Sequence, residues 1–205
     1  MPDAPRHIPT YVRRSGRMGP ASQAALARDA DRRRLPPGSW WSTSHFDGYS
    51  QVVLEIGSGM GEAAVAMAVA EPATALIAAE VHDAGVAATV RAADAAGCPN
   101  LWIYHGDGLV ALTHHIPVDT LAGIRVWFAD PWPKRKHHKR RLITPDHVAL
   151  MVSRLQPGGT LHTATDVASY ATVMVRVLGD SAHLEPVLIG GPRPGLFSVR
   201  RTDHF

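Results

Sequence analysis

The chain reads as an α/β domain built on a mostly parallel central sheet with helices on both faces. Three observations predict it: short apolar runs alternate with helical stretches from residue 51 onward, a glycine cluster follows the first run, and acidic residues close several others. The 205 residues, 45% of them hydrophobic, suffice for one well-packed domain. The first thirty residues hold no apolar run as long as a signal peptide's core, and no segment approaches the length of a membrane span. Cys98 is the only cysteine, which excludes an internal disulfide and fits a reducing compartment, so a soluble cytoplasmic protein is expected.

Residues 1–50 are rich in arginine and proline and predict a basic, partly disordered arm with one helix over 21–34. The domain proper, residues 51–205, opens with an apolar strand over 52–56 and an alanine-rich helix over 62–70 that Pro72 stops. A second strand over 75–80 precedes a helix over 82–96, ended by Gly97 and Pro99. A third strand (101–105), a short helix (109–115) and a fourth strand (124–129) follow. Thr144 and Pro145 supply a capping hydroxyl and a first-turn proline for a helix to about residue 155. The Pro157-Gly158-Gly159 turn, a fifth strand (160–165), a helix (167–178) and a sixth strand (184–189) complete the alternation.

The first strand runs into Leu-Glu-Ile-Gly-Ser-Gly-Met-Gly (residues 54–61), where Gly57, Gly59 and Gly61 let backbone approach a ligand at a helix start. The spacing is not that of a dinucleotide site, and Glu55 beside the loop would repel a pyrophosphate. It would attract an ammonium group, as in S-adenosylmethionine. Glu80, closing the second strand, is placed to accept from ribose hydroxyls, and Asp107, after the third, from an adenine amino group.

The fourth strand ends at Asp130, and Pro131 and Pro133 then hold the backbone extended. Residues 134–141 comprise six Lys or Arg plus His137 and His138. The formal net charge is only +3, so this local patch matters more than the total. In a parallel sheet the carboxyl ends of the strands are the ligand-binding rim, which puts the loop over the crevice and predicts an anionic polymer as partner. Trp132 has two readings, stacking on a base or filling the wall beneath the loop. No Cys or acidic residue stands at ligand spacing from His137 and His138, so no metal is expected, and His114 and His115 are read as structural.

The glycine loop, Ala-Glu-Val-His (79–82), Asp-Pro-Trp-Pro-Lys with its basic tail (130–141) and Thr-Ala-Thr-Asp with Tyr170 beyond it together resemble the bacterial tRNA (guanine-N7) methyltransferase family. Even Arg13 to Met18, with Gln23, is similar to that family's Arg-x-Gly-Arg segment. The resemblance implies a Rossmann-like class I methyltransferase that transfers methyl from S-adenosylmethionine to N7 of a guanine in the tRNA variable loop. It implies that Glu55, Glu80, Asp107 and Asp130 contact the cofactor or serve the reaction, with Asp130 as the catalytic carboxylate. Lys134 and Asp166 would contact the substrate, and Arg135, Lys136, His137, His138, Lys139 and Arg140 the RNA backbone.

The family continues past the sixth strand into Thr-x-Tyr-Glu or Thr-x-Phe-Glu and a last strand. Here Thr202 is matched to that threonine as a further substrate contact, no glutamate follows it, and the last edge strand is expected to be missing. The bare edge would be covered by a second copy of the chain or by the arm. Two alternatives are a related enzyme acting on a small heteroaromatic substrate and a catalytically idle RNA-binding module.

Overall fold

The computed structural model describes residues 8–12, 18–29, 35, 41, 43–187 and 195–202. Arg13 to Arg17 and Arg32 to Arg34 lie outside them. The order of elements is α1 (Pro20–Asp29), β1 (Gln51–Ile56), α2 (Glu62–Ala70), β2 (Thr74–Glu80), α3 (Asp83–Ala96), β3 (Leu101–His105), α4 (Gly108–His114) and β4 (Leu121–Trp127). Then come α5 (Pro145–Arg154), β5 (Leu155–Ala164), α6 (Ala168–Gly179), β6 (Leu184–Pro186) and β7 (Leu196–Arg201).

Among the described residues seven strands form one sheet in the order β3-β2-β1-β4-β5-β7-β6. β1 to β5 are mutually parallel, so their carboxyl ends share one rim, while β7 pairs antiparallel with both β5 and β6. The direction of the chain reverses twice here, so β6 is an antiparallel edge of three residues, shorter than its sequence suggests. The expectation of a missing last strand is corrected: Leu196–Arg201 is that strand, lying beside β5 and pairing with its second half, Thr160 to Ala164. Alternating Leu196, Ser198 and Arg200 against Phe197, Val199 and Arg201 conceals its apolar face in the sequence. The Pro157-Gly158-Gly159 turn is a bulge inside β5, whose Leu155 pairs with Leu121 before the register resumes at Thr160 opposite Gly123.

Alternation along β1 sends Leu54 and Ile56 to one face, where they meet Leu112 of α4, Met151 of α5 and Met174 of α6. Val53 points to the other face, packing with Ala64 and Ala68 of α2 and Ala93 of α3. α1 packs through Ala25 onto Val86 and Val90 of α3. Residues assigned by sequence to the arm join the main core: Trp41, 1% exposed, stacks on His115, and Phe46 is buried beside Trp102. Among the described residues no helix is long and apolar enough to cross a membrane.

Candidate active site

The glycine loop leaves β1 at Ile56 and is pinned to β2, because the amide nitrogens of Gly57 and Ser58 both donate to the Ala79 carbonyl at 2.9 and 3.2 Å. Gly57, Gly59 and Gly61 all have positive φ, a region glycine enters without steric penalty. At Gly61 a second constraint acts: a Cβ there would lie 2.3 Å from the Thr89 hydroxyl oxygen of α3. Gly61 is thus a packing residue at the start of α2 and lines neither cleft described below.

Glu80 fixes the loop from the neighbouring strand. One of its carboxylate oxygens accepts from Gly59 N at 2.8 Å, and the other accepts from Val81 N and His82 N at 2.8 and 2.9 Å. Asp107 caps α4, its Oδ1 accepting from Leu109 N at 2.9 Å. Both carboxylates are buried, line one cleft with Gly57 and Asp130, and are aimed by the backbone donors that hold them.

A second cleft adjoins the first, sharing Gly57, Trp127 and Phe128 and adding Glu55, Ser58 and Gly59. Here the polar groups are unsatisfied. Glu55 is 1% exposed, its Oε2 has no hydrogen-bond partner among the described residues, and the same holds for Ser58 Oγ and Trp127 Nε1. Burial pushes the Glu55 carboxyl up to about 7 from an ordinary 4.5, with the neighbouring Arg125 pulling the other way. Buried polar atoms without partners are uncommon and mark a waiting ligand or water. One acceptor and two donors at the bottom of one cleft suit the ammonium and carboxylate of an amino acid, which S-adenosylmethionine carries. The residues present therefore fit that cofactor.

Asp130 is exposed at the mouth of the first cleft, past the end of β4, and Asp166 is exposed past the end of β5, the adjacent strand. Lys134 precedes a short 3-10 turn over Arg135–Arg140 and is exposed, as are Arg135, Lys136 and Lys139. Arg140 differs from them: it donates from Nε to the Pro9 carbonyl at 3.1 Å and from Nη2 to the Tyr11 carbonyl at 2.6 Å. Its guanidinium also lies 3.9 Å above the Trp132 ring, whose Nε1 donates to the Thr10 carbonyl at 2.9 Å. His137 packs edge-on to the same ring, and desolvation and the cations Lys136, Arg140, Lys134 and Lys139 hold its imidazole below the ordinary histidine value. His138 is half-buried. Neither sequence reading of Trp132 describes it fully, since the ring anchors a segment 122 residues away along the chain.

That segment, with Thr10 and Tyr11, forms a wall of the first cleft. The loop's far end is fastened as well: Arg141, 7% exposed, donates to the Pro131 carbonyl at 2.8 Å and faces the Tyr170 ring, and the Tyr170 hydroxyl accepts from Ile143 N at 3.0 Å. The cationic loop and the carboxylates thus share the rim expected of them.

Thr202 does not join them. Because β7 is antiparallel, its first residue Leu196 pairs with Ala164 at the ligand rim and its end lies at the opposite rim. There Thr202 N donates to the His183 carbonyl at 3.0 Å, beside the Arg201–Asp119 pair. Thr10, Tyr11, Ser58 and Trp127 line the clefts and are residues that sequence reasoning missed. Only Ser58, inside the glycine loop, carried a local signal.

A family model described as a putative methyltransferase matches residues 49–188. The tRNA (guanine-N(7)-)-methyltransferase of Bordetella pertussis is 39% identical over 198 residues, covering 94% of this chain and 78% of that protein. The enzyme of the same name from Streptomyces avermitilis is 38% identical over 164 residues, covering 78% of this chain but 57% of its own length. A methyltransferase from Geobacter sulfurreducens shares the fold, with a TM-score of 0.56 at 15% identity over 92% of this chain and 91% of that one. With the match spanning most of the described domain and the Bordetella likeness nearly all of the chain, this protein belongs to the methyltransferase family that contains those tRNA (guanine-N(7)-)-methyltransferases.

Proposed function

We propose that this protein transfers a methyl group from S-adenosylmethionine to N7 of a guanine in the variable loop of tRNA, in the cytoplasm. The observation that carries the reading is the shared rim: Glu55, Glu80, Asp107 and Asp130 lie along the carboxyl ends of β1 to β4, and the cationic turn over 134–141 follows directly from the last of them. The names of the relatives support the same substrate.

S-adenosylmethionine, when bound, supplies a methyl group already activated on a sulfonium. Glu55, Ser58 and Trp127 would hold its amino-acid end, Glu80 its ribose and Asp107 its adenine. Guanine N7 carries an exposed lone pair and no proton, so the protein needs no general base and acts chiefly by placing the base in line and excluding water. Thr10 and Tyr11 close one side of the cleft to solvent. Asp130 faces the ring as it becomes cationic, and a fixed carboxylate at that point stabilises the developing charge. Asp166, past the end of the strand beside that of Asp130, and Lys134, four residues beyond Asp130, would meet the base, the carboxylate accepting from the Watson–Crick N–H groups of guanine. Arg135, Lys136 and Lys139 extend into solvent, where RNA phosphates can meet them.

Incubation with labelled S-adenosylmethionine and unmodified tRNA tests the reading. Label recovered as borohydride-sensitive 7-methylguanine supports it, and label absent from that nucleoside overturns it. One observation favours a second reading: Thr202, matched to the threonine of the family's Thr-x-Tyr-Glu, follows the end of β7 at the rim opposite the carboxylates, and no glutamate follows it. A related enzyme acting on a small heteroaromatic substrate would turn over without RNA.

A further inference from the structure

Two aromatic residues stand symmetrically about Asp130, and both occupy backbone conformations that bulky side chains avoid: Phe128 at φ 51° and Trp132 at φ 43°. The strain at Trp132 is offset visibly, since its ring is covered by Arg140, edged by His137 and hydrogen-bonded to Thr10. Phe128 has no such compensation. Its backbone is fixed by a 2.8 Å hydrogen bond from its N to the Ala164 carbonyl, yet its side chain is 66% exposed, the most exposed of the large hydrophobic residues described. A strained backbone that presents an apolar ring to solvent contributes nothing to the core. Phe128 lines both the cleft of Glu80, Asp107 and Asp130 and the cleft of Glu55 and Gly59, which places it where the two clefts adjoin.

We propose that the Phe128 ring is the platform on which the target purine stacks while its N7 is methylated. The assignment rests on the function proposed above and names a residue that function did not require. An aromatic face is the surface unpaired bases select when taken out of a nucleic acid strand. It also does more for the product than for the substrate: the methylated ring is cationic, and a cation is drawn to a π face. The stacking therefore tightens as the transition state is approached, so removing it lowers kcat as well as raising KM.

The test uses Phe128→Asn, which tolerates the left-handed backbone but has no ring, Phe128→Leu, which keeps apolar bulk without a π face, and Phe128→Tyr, which keeps the ring. For each protein the melting temperature, the affinity for S-adenosylmethionine and the kcat and KM for 7-methylguanine formation on tRNA are measured. Phe128→Asn is expected to melt no lower than the parent and, with S-adenosylmethionine saturating so that its place beside both clefts does not enter, to lose roughly 10- to 100-fold in kcat/KM for tRNA. Phe128→Leu follows it, and Phe128→Tyr stays near the parent. A loss that disappears when S-adenosylmethionine is saturating would make Phe128 only a wall of the cofactor site and overturn the proposal. So would a fully active Phe128→Leu or an unstable Phe128→Asn. A parent protein that makes no 7-methylguanine removes the underlying function, whereas an active parent with an equally active Phe128→Asn removes only the platform.

Discussion

The two sides of the ligand rim are built on different principles. On the carboxylate side each buried acidic group sits at, or within two residues of, the end of its own strand. Two of them are held by backbone amides close in sequence or one strand away: Glu80 by Gly59, Val81 and His82, Asp107 by Leu109. On the cationic side the ordering contacts cross most of the chain, from Trp132 and Arg140 to residues 9–11. The first side is a rigid, local device for a small cofactor. The second couples a charged loop to a segment that walls the same cleft, so that what touches the loop also bears on access to the cofactor.

The largest expected effect lies where the two sides meet. Asp130→Ala is expected to lower kcat by roughly 100- to 1,000-fold, the usual consequence of removing a fixed group that stabilises transition-state charge. Asp130 is exposed, so the melting temperature should not move. A variant turning over at near the parent rate would remove Asp130 from the chemistry.

Next is Glu55, which separates cofactor binding from stability. Burial raises its folded-state value to about 7, above an unfolded 4.5, so the fold holds an extra proton between those limits. Stability from this group is therefore intact at the acid end, falls as pH rises through about 7, and stays at the lower level above it. Cofactor binding runs the opposite way, because the ammonium pairs with the ionised form: affinity should rise through about pH 7, and binding at pH 6 should release a proton, read as a buffer-dependent heat in calorimetry. Glu55→Gln is expected to weaken S-adenosylmethionine by roughly 10- to 100-fold, the worth of one hydrogen bond to a charged group, and to abolish the proton release. At pH 8 the same variant should be more stable without cofactor, by on the order of 1–3 kcal/mol. A less stable Glu55→Gln would mean the carboxylate is satisfied in the free protein.

How far the sequence reveals each side follows from the same contrast. Strands, helices and the acidic strand ends are legible because apolar period and punctuation are local: the helix over 62–70 agrees in both bounds, and Thr144 caps the helix that Pro145 begins, its hydroxyl accepting from His147 N. β7 is not legible, since Arg200 and Arg201 break its apolar character. Arg201 is nonetheless buried because Asp119 and the Leu155 carbonyl receive it from across the sheet. Placing Thr202 at the wrong rim follows from the same omission, for an unseen antiparallel strand inverts which end of it faces the ligand. In sequence Arg140 is one of six equivalent candidates for RNA, because charge is visible there and its partners, carbonyls of residues 9 and 11, are not.

That distinction sharpens into a comparison among the cations. Neutralising Arg135, Lys136 and Lys139 together should raise KM for tRNA and flatten its salt dependence, by roughly 0.7 to 0.9 in slope for each phosphate left without its cation. An unchanged slope would show that the exposed loop does not meet phosphates. S-adenosylmethionine affinity should not change, since none of the three lines either cleft.

The smallest effect, and the one that most directly probes the coupling, is expected of Arg140→Ala. Its guanidinium is engaged with the Pro9 and Tyr11 carbonyls and the Trp132 ring, so its removal should leave the salt slope as it was and loosen residues 8–12. The loss is on the order of 1–2 kcal/mol of local ordering, since the bonds are charge-assisted but partly exposed. Amide exchange at residues 10–12 should quicken while that of β1 and β2 stays fixed. Cofactor dissociation should quicken in step, because Thr10 and Tyr11 wall the cleft. If instead the salt slope falls as it does for Lys136 and exchange at residues 10–12 is unaltered, Arg140 belongs with the cations that meet phosphate and the two sides of the rim act independently.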